Sequence, residues 1–170
     1  NGCNGTFKLG LTTGTSPVPL YQELVKRYNA GEVSFKNVEI YSIDEYYPAP
    51  ADHFSRNRRL YEDLVAHIDI KPENVNVPKL TELHDSAYVS EFCANYDAKA
   101  TGLDLLIMGT GEKGQIGFNE NGASEFSRTR TVLLPYGSRK RQAKNFGSVE
   151  ATPHTAIAMG ISTMLSAKKI

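Results

Sequence analysis

The chain has no excess charge of either sign: nineteen Lys and Arg balance nineteen Asp and Glu over 170 residues. Without a net field, neither nucleic acid nor an anionic membrane is favoured globally, and any anion must be held by local groups. Cysteine is scarce. Cys3 and Cys93 stand far apart without metal-ligand spacing, so no metal site is expected and a reduced, cytoplasmic protein is the default. No apolar stretch approaches the roughly 20 residues that cross a bilayer. Asn1–Gly5 is too polar to open a secretory signal. Internal repeats and low-complexity tracts are absent. The length fits one domain, 1–170, large enough to bury a core.

The pattern alternates between periods. Phe7–Thr12 reads as a strand, and Thr13–Pro17 as a sharp turn into a helix carrying Leu20, Tyr21, Leu24, Val25 and Tyr28 at helical spacing. Val38–Ile43 reads as a second strand, closed by the loop Asp44-Glu45-Tyr46-Tyr47 and a Pro-containing segment through Asp52. Ser55 suits an N-cap for a helix to Ile68, and Val75–Val77 a short strand. An amphipathic helix over His84–Ala100 shows Ala87, Tyr88, Phe92 and Tyr96 on its apolar face. Strands at Leu103–Met108, Thr131–Leu134 and Thr155–Met159 and helices at Ser138–Phe146 and Ile161–Ala167 complete the pass. Lys168–Ile170 look like the first step into another strand, so a C-terminal segment is expected beyond it. Such alternation implies an α/β fold in three layers, a mostly parallel sheet with helices on both faces.

Three places carry candidate chemistry. The turn Gly14-Thr15-Ser16-Pro17 offers Thr15 or Ser16 as a cap and Pro17 as the first helical residue; it reads either as a phosphate site or simply as a well-capped helix. Asp44 closes a strand at the same sheet edge, where a carboxylate either acts as a general base beside a carbonyl or sits solvated. Leu103–Gly122 runs from an apolar strand into five glycines interleaved with Glu112, Lys113, Gln115, Asn119 and Glu120. In such sheets ligands bind beyond the carboxyl ends of strands. Gly109, Gly111 and Gly114 satisfy G-x-G-x-x-G, but Gln115–Gly122 is a poor helix start, which argues against a dinucleotide, and no Walker A lysine succeeds the last glycine. Arg128, Arg130, Arg139, Lys140, Arg141 and Lys144 form the basic concentration, either a solvated face or part of an anion site. His53 lies within reach of the loop after Asp44.

Taken in order, LGLTTGTSP, SFKNVEIYSIDEYY, HIDIKPENV, IMGTGEKGQIGFNENG, SRTRTVLLP and PHTAIAMGISTML resemble the glucosamine-6-phosphate deaminase family over nearly the whole chain. The D-E-Y at Asp44–Tyr46 and the G-F-N-E at Gly117–Glu120 look like its deaminase branch rather than its lactonase branch. The resemblance implies a Rossmann-like fold of deaminase/lactonase type and conversion of glucosamine 6-phosphate and water to fructose 6-phosphate and ammonia, with no cofactor and no metal. It implies Asp44 as proton-transfer base. Thr13, Gly14, Thr15, Ser16, Gly109 and Gly111 fall at substrate-binding positions, with Lys144 near a phosphate ligand and Arg130 at an effector position. Family members present an acid and a ring-opening histidine where this chain has Lys113 and Gln115, while Glu120, the histidine's support, is retained. A neutral glutamine cannot serve as that acid–base group, although its amide can still bind an oxygen. The alternatives are a sugar-phosphate-binding protein without catalysis and, third, a 6-phosphogluconolactonase. The expected partner is a small sugar phosphate rather than nucleic acid or membrane, in a cytoplasmic homo-oligomer.

Overall fold

The computed structural model describes residues 5–50 and 54–170; Cys3 and His53 lie outside the described residues. Strand β1 (Phe7–Leu11) leads into helix α1 (Val18–Asn29), then β2 (Val38–Ser42), β3 (Asp44–Tyr47) and helix α2 (Arg56–Asp63). After two short 3-10 turns come β4 (Val75–Asn76), α3 (Ser86–Ala100), β5 (Leu105–Ile107), β6 (Arg130–Leu133), α4 (Tyr136–Phe146), β7 (Thr155–Ala158) and α5 (Ile161–Leu165).

The larger sheet is parallel, in the order β4-β2-β1-β5, and period-2 alternation along it sends side chains to two separate cores. Leu9, Leu11 and Ile40 pack on one side with Tyr21 of α1 and with Leu60 and Leu64 from α2 and the residue after it. Tyr41, Leu106 and Leu103 pack on the other with Tyr96 and Ala100 of α3. Three layers result, as the alternating pattern predicts. Lys168 N–H donates to Leu103 O at 2.8 Å and Leu106 N–H to Lys169 O at 2.9 Å, so the last residues do run beside β5.

Asp44–Tyr47 is a strand rather than the expected loop. Ile43, between β2 and β3, bridges the two sheets: its N–H donates to Leu11 O at 3.1 Å, and its carbonyl accepts from Met159 N–H at 2.8 Å. The chain thereby passes from β2 into a second, antiparallel sheet, β3-β7-β6. Every residue of β3 is buried. Two adjacent acids resemble a turn because acids are rarely buried unless paired, and here both are partnered.

The apolar face of α3 differs from the expected one. Val89, Cys93, Tyr96, Asp97 and Ala100 are buried, while Tyr88 is half exposed. A buried aspartate turns the stripe by about one residue. Asp97 Oδ1 accepts from Thr129 N–H at 2.9 Å, from Thr129 Oγ1 at 2.6 Å and from Thr163 Oγ1, and Arg128 Nε lies 2.6 Å from Oδ2.

Candidate functional site

At the carboxyl ends of β1 and β5 lies a cavity of about 470 Å³. One wall is the turn from Thr12 to Pro17, and the other runs from Ile107 through Gly109, Gly111 and Gln115 to Gly117. Arg56 and Gln142 close it. Parallel strands of one sheet bring both walls together, since β1 and β5 pair with Leu11 opposite Ile107.

The first wall corrects one expectation. Pro17 itself is the N-cap of α1, and neither Thr15 nor Ser16 caps it by side chain. Pro17 and Pro19 carry no N–H, so an anion here depends on the turn before the helix more than on the helix end. Thr13 Oγ1 is buried against the cavity with no hydrogen-bond partner. A buried hydroxyl left unpaired costs about 1–3 kcal/mol, which a ligand hydroxyl or phosphate oxygen would recover.

The second wall is a glycine loop folded on itself. Gly111 N–H donates to Gln115 O and Gly114 N–H to Gly111 O, both at 2.8 Å, and Ile116 and Asn119 exchange backbone bonds. Gly114 turns at positive φ and no helix opens there, so the G-x-G-x-x-G spacing is incidental. Gln115 bends back over the loop: its Oε1 accepts from Lys113 N–H at 3.0 Å, and its amide fills the space a Cβ at Gly111 would need. Lys113 is exposed.

Gly117 ties the loop to Asp44. Its φ is +56°, and a Cβ there would stand 2.5 Å from Asp44 Oδ2. The carboxylate therefore lies directly beneath the cavity wall. Asp44 is almost wholly buried, and burial pushes its pKa up; Arg56 pulls it down, Glu45 raises it, and the Phe118 N–H lowers it, with a raised value as the net result.

Other expected residues lie elsewhere. Glu120 accepts from Ser138 Oγ and lies 3.7 Å from Arg141 Nη2, so its carboxylate is engaged with α4 and is not part of the cavity lining. Lys144 is exposed and also outside the lining. Arg130 borders a separate cavity of about 410 Å³ with Tyr47, His84 and Cys93. Arg128 is committed to Asp97, and Arg139 donates to Val149 O at 3.2 Å. The basic concentration is thus dispersed over several structural contacts.

Arg56 is a cavity-lining residue that sequence reasoning misses. Its Nε is buried without a hydrogen-bond partner, 3.9 Å from Asp44 Oδ1. In the sequence it looks like one of several arginines in a solvated run. One signal is there: with Ser55 as N-cap, Arg56 falls in the first turn of a helix, where the dipole disfavours a cation.

Comparison with known proteins identifies the family. A sequence model of the family described as glucosamine-6-phosphate isomerases/6-phosphogluconolactonase matches residues 3–170. The chain is 41% identical to a glucosamine-6-phosphate deaminase of Beutenbergia cavernae over 95% of its own length and 62% of that protein's. It is 40% identical to a glucosamine-6-phosphate isomerase of Candida albicans, covering 97% of itself and 67% of the relative. Against a solved monomeric glucosamine-6-phosphate deaminase the TM-score is 0.87 at 32% identity, covering 96% of this chain and 68% of that one. A 6-phosphogluconolactonase from Thermotoga maritima, at 18% identity and TM-score 0.69, shares the fold. The chain therefore spans about two thirds or less of these relatives' lengths, and it belongs to the glucosamine-6-phosphate isomerase/6-phosphogluconolactonase family.

Proposed function

We propose that this chain carries the catalytic centre of a glucosamine-6-phosphate deaminase, with Asp44 as its base. The observation that carries the reading is Asp44 itself, a buried carboxylate under Gly117 at the edge of a cavity whose other wall is the Thr12–Pro17 turn. In the open-chain sugar, ionised Asp44 takes the proton from C2; that C–H pair forms the C1–C2 double bond of the enolamine as the carbonyl pair moves onto the aldehyde oxygen, which takes a proton from water. The same carboxyl returns its proton to C1. The resulting C2 imine adds water and releases ammonia, leaving fructose 6-phosphate. Thr13, Gly14, Thr15 and Ser16, with Gly109 and Gly111, hold the phosphate and sugar hydroxyls in this reading.

Gln115 lacks the acid–base capacity for ring opening. General acid–base help is worth about 10²–10⁴ in rate, or about 3–5 kcal/mol. Sugars also open unaided in water, so the expected consequence is slower turnover. A coupled assay for fructose 6-phosphate and ammonia tests the reading: turnover is expected from the wild type and a loss of at least 10²-fold, as an order-of-magnitude figure, from Asp44→Asn. Unchanged turnover in that variant sinks the mechanism.

One observation favours a second reading. Gln115 is folded on Gly111 and Glu120 is held by Ser138, as fits a protein that binds a sugar phosphate without converting it. Calorimetric binding of glucosamine 6-phosphate without product identifies that case. A cytoplasmic location and self-association also belong to this proposal. Among the described residues no helix is long and apolar enough to cross a membrane, and light scattering reports the subunit number.

A further inference from the structure

Glu45, Arg56 and Asp44 form a line of contacts from the interior of the second sheet to the cavity. Glu45 has no exposed surface and commits both carboxylate oxygens. Its Oε1 accepts from the N–H of Tyr46 at 2.8 Å and of Arg56 at 3.0 Å; its Oε2 accepts from Ser55 Oγ at 2.7 Å and Asn57 N–H at 2.8 Å. The backbone at position 56 is thereby fastened to β3, the strand that carries Asp44. The Arg56 guanidinium lies against two rings, 5.5 Å from the centroid of Tyr46 and 5.0 Å from that of Phe118. Those rings lie 4.9 Å apart, tilted by 50°, and Arg56 Nε lies 3.9 Å from Asp44 Oδ1. No other Lys or Arg is among the described residues that line the cavity. An arginine clamped at its backbone, on its rings and beside one carboxylate has little of the freedom of a surface cation.

We propose that Arg56 is the positioning residue of Asp44: its guanidinium keeps the carboxylate ionised and turned beneath Gly117, so that the base is charged when a sugar phosphate enters the cavity. The proposal rests on the reading of Asp44 as the base. The titratable groups facing Asp44 are Arg56 from α2, Glu45 and Tyr46 from β3 and Tyr96 from α3. Of these, Arg56 supplies the positive charge, whereas burial and Glu45 favour the neutral acid. An opposite charge at this range moves a carboxyl midpoint by about 1–3 pH units.

The test compares Arg56→Gln and Arg56→Met, which remove the charge, with Arg56→Lys, which keeps it. Arg56→Met retains an apolar stem against Tyr46 and Phe118 and guards against a folding failure of the glutamine variant. Two readouts are followed: the acidic limb of kcat/KM for glucosamine 6-phosphate, and the carboxyl carbon-13 titration of Asp44, assigned with Asp44→Asn. In the neutral variants both midpoints are expected to rise by about 1–3 pH units. On the acid side of the wild-type midpoint, activity then falls about tenfold for each pH unit of the rise and recovers in alkali, whereas in Arg56→Lys the midpoints move less than in the neutral variants. Midpoints unmoved in the neutral variants overturn the proposal, as does a loss of turnover equal at every pH. If the wild type shows no turnover, the catalytic reading fails, and the carbon-13 titration alone still decides whether Arg56 holds Asp44 ionised.

Discussion

Asp44 occupies a position that works against the fold. Burial raises its pKa more than Arg56 and the Phe118 N–H lower it, so the folded midpoint lies above the unfolded one, near 3.9. Below the unfolded midpoint both states hold the proton and nothing is lost. As pH rises through the folded midpoint, the stability contributed by the neutral acid disappears. Asp44→Asn removes that cost while abolishing the base: its Tm at pH 7 is expected to exceed the wild type's, and the difference to shrink toward pH 4. A variant less stable at pH 7 than at pH 4, relative to wild type, contradicts the argument. Gly117 is the neighbouring test. Alanine there meets Asp44 Oδ2 and, at 3.1 Å, Ile43 Cδ1, in a backbone conformation that costs a side chain about 1–2 kcal/mol. Gly117→Ala is expected to lose turnover as well as that stability, because relief of the clash displaces the base; a fall in Tm with kcat unchanged excludes such displacement.

Strand β3 and helix α2 act as one element, joined through Glu45. Its four hydrogen bonds leave no acceptor idle, and Ser55 adds the cap by accepting from Arg58 N–H at 3.2 Å. Glu45→Gln turns an NH2 toward backbone donors, and a buried mismatch of that kind costs about 3 kcal/mol, or roughly 6–12 °C in Tm for a chain of this size. Thermal unfolding checks it, and a fall under about 2 °C, well below that range, contradicts the role given to Glu45. The same pair of elements shows what could be read from the sequence. Ser55 was legible as a cap because its chemistry is local. β1, α1 and β2 were legible from apolar spacing. Asp44–Tyr47 was not, since nothing nearby in sequence announces partners at Ser55 and Asn57 or the antiparallel strand at Thr155–Ala158. The site divided likewise: the Thr13–Ser16 turn and Gln115 lie on loops that come after strands, whereas Arg56 reaches Asp44 through tertiary packing alone.

Across the whole molecule, two sheets of different hydrogen-bonding pattern must stay in register for Asp44, on β3, to lie beneath a cavity whose walls come from β1 and β5. Ile43 joins them through the backbone, and Asp97 joins their surroundings through a side chain. From α3 its carboxylate binds Thr129 beside β6 and Thr163 in α5, and it pairs with Arg128. Burial alone would raise its pKa, but the threonine hydrogen bonds and Arg128 outweigh burial and hold it below the usual range. The sign is therefore opposite to that of Asp44. With the folded midpoint below the unfolded one, the stabilisation is fully present above the unfolded midpoint near 3.9 and is lost as pH falls through the folded midpoint. Asp97→Asn is expected to lower stability at pH 7 by about 2–3 kcal/mol, the worth of hydrogen bonds to a charged group. The gap to wild type should close in acid. Urea unfolding of both proteins at pH 7 and pH 3 measures this directly. A deficit of equal size at the two values would mean that shape, and not charge, is what Asp97 contributes to holding the sheets in register.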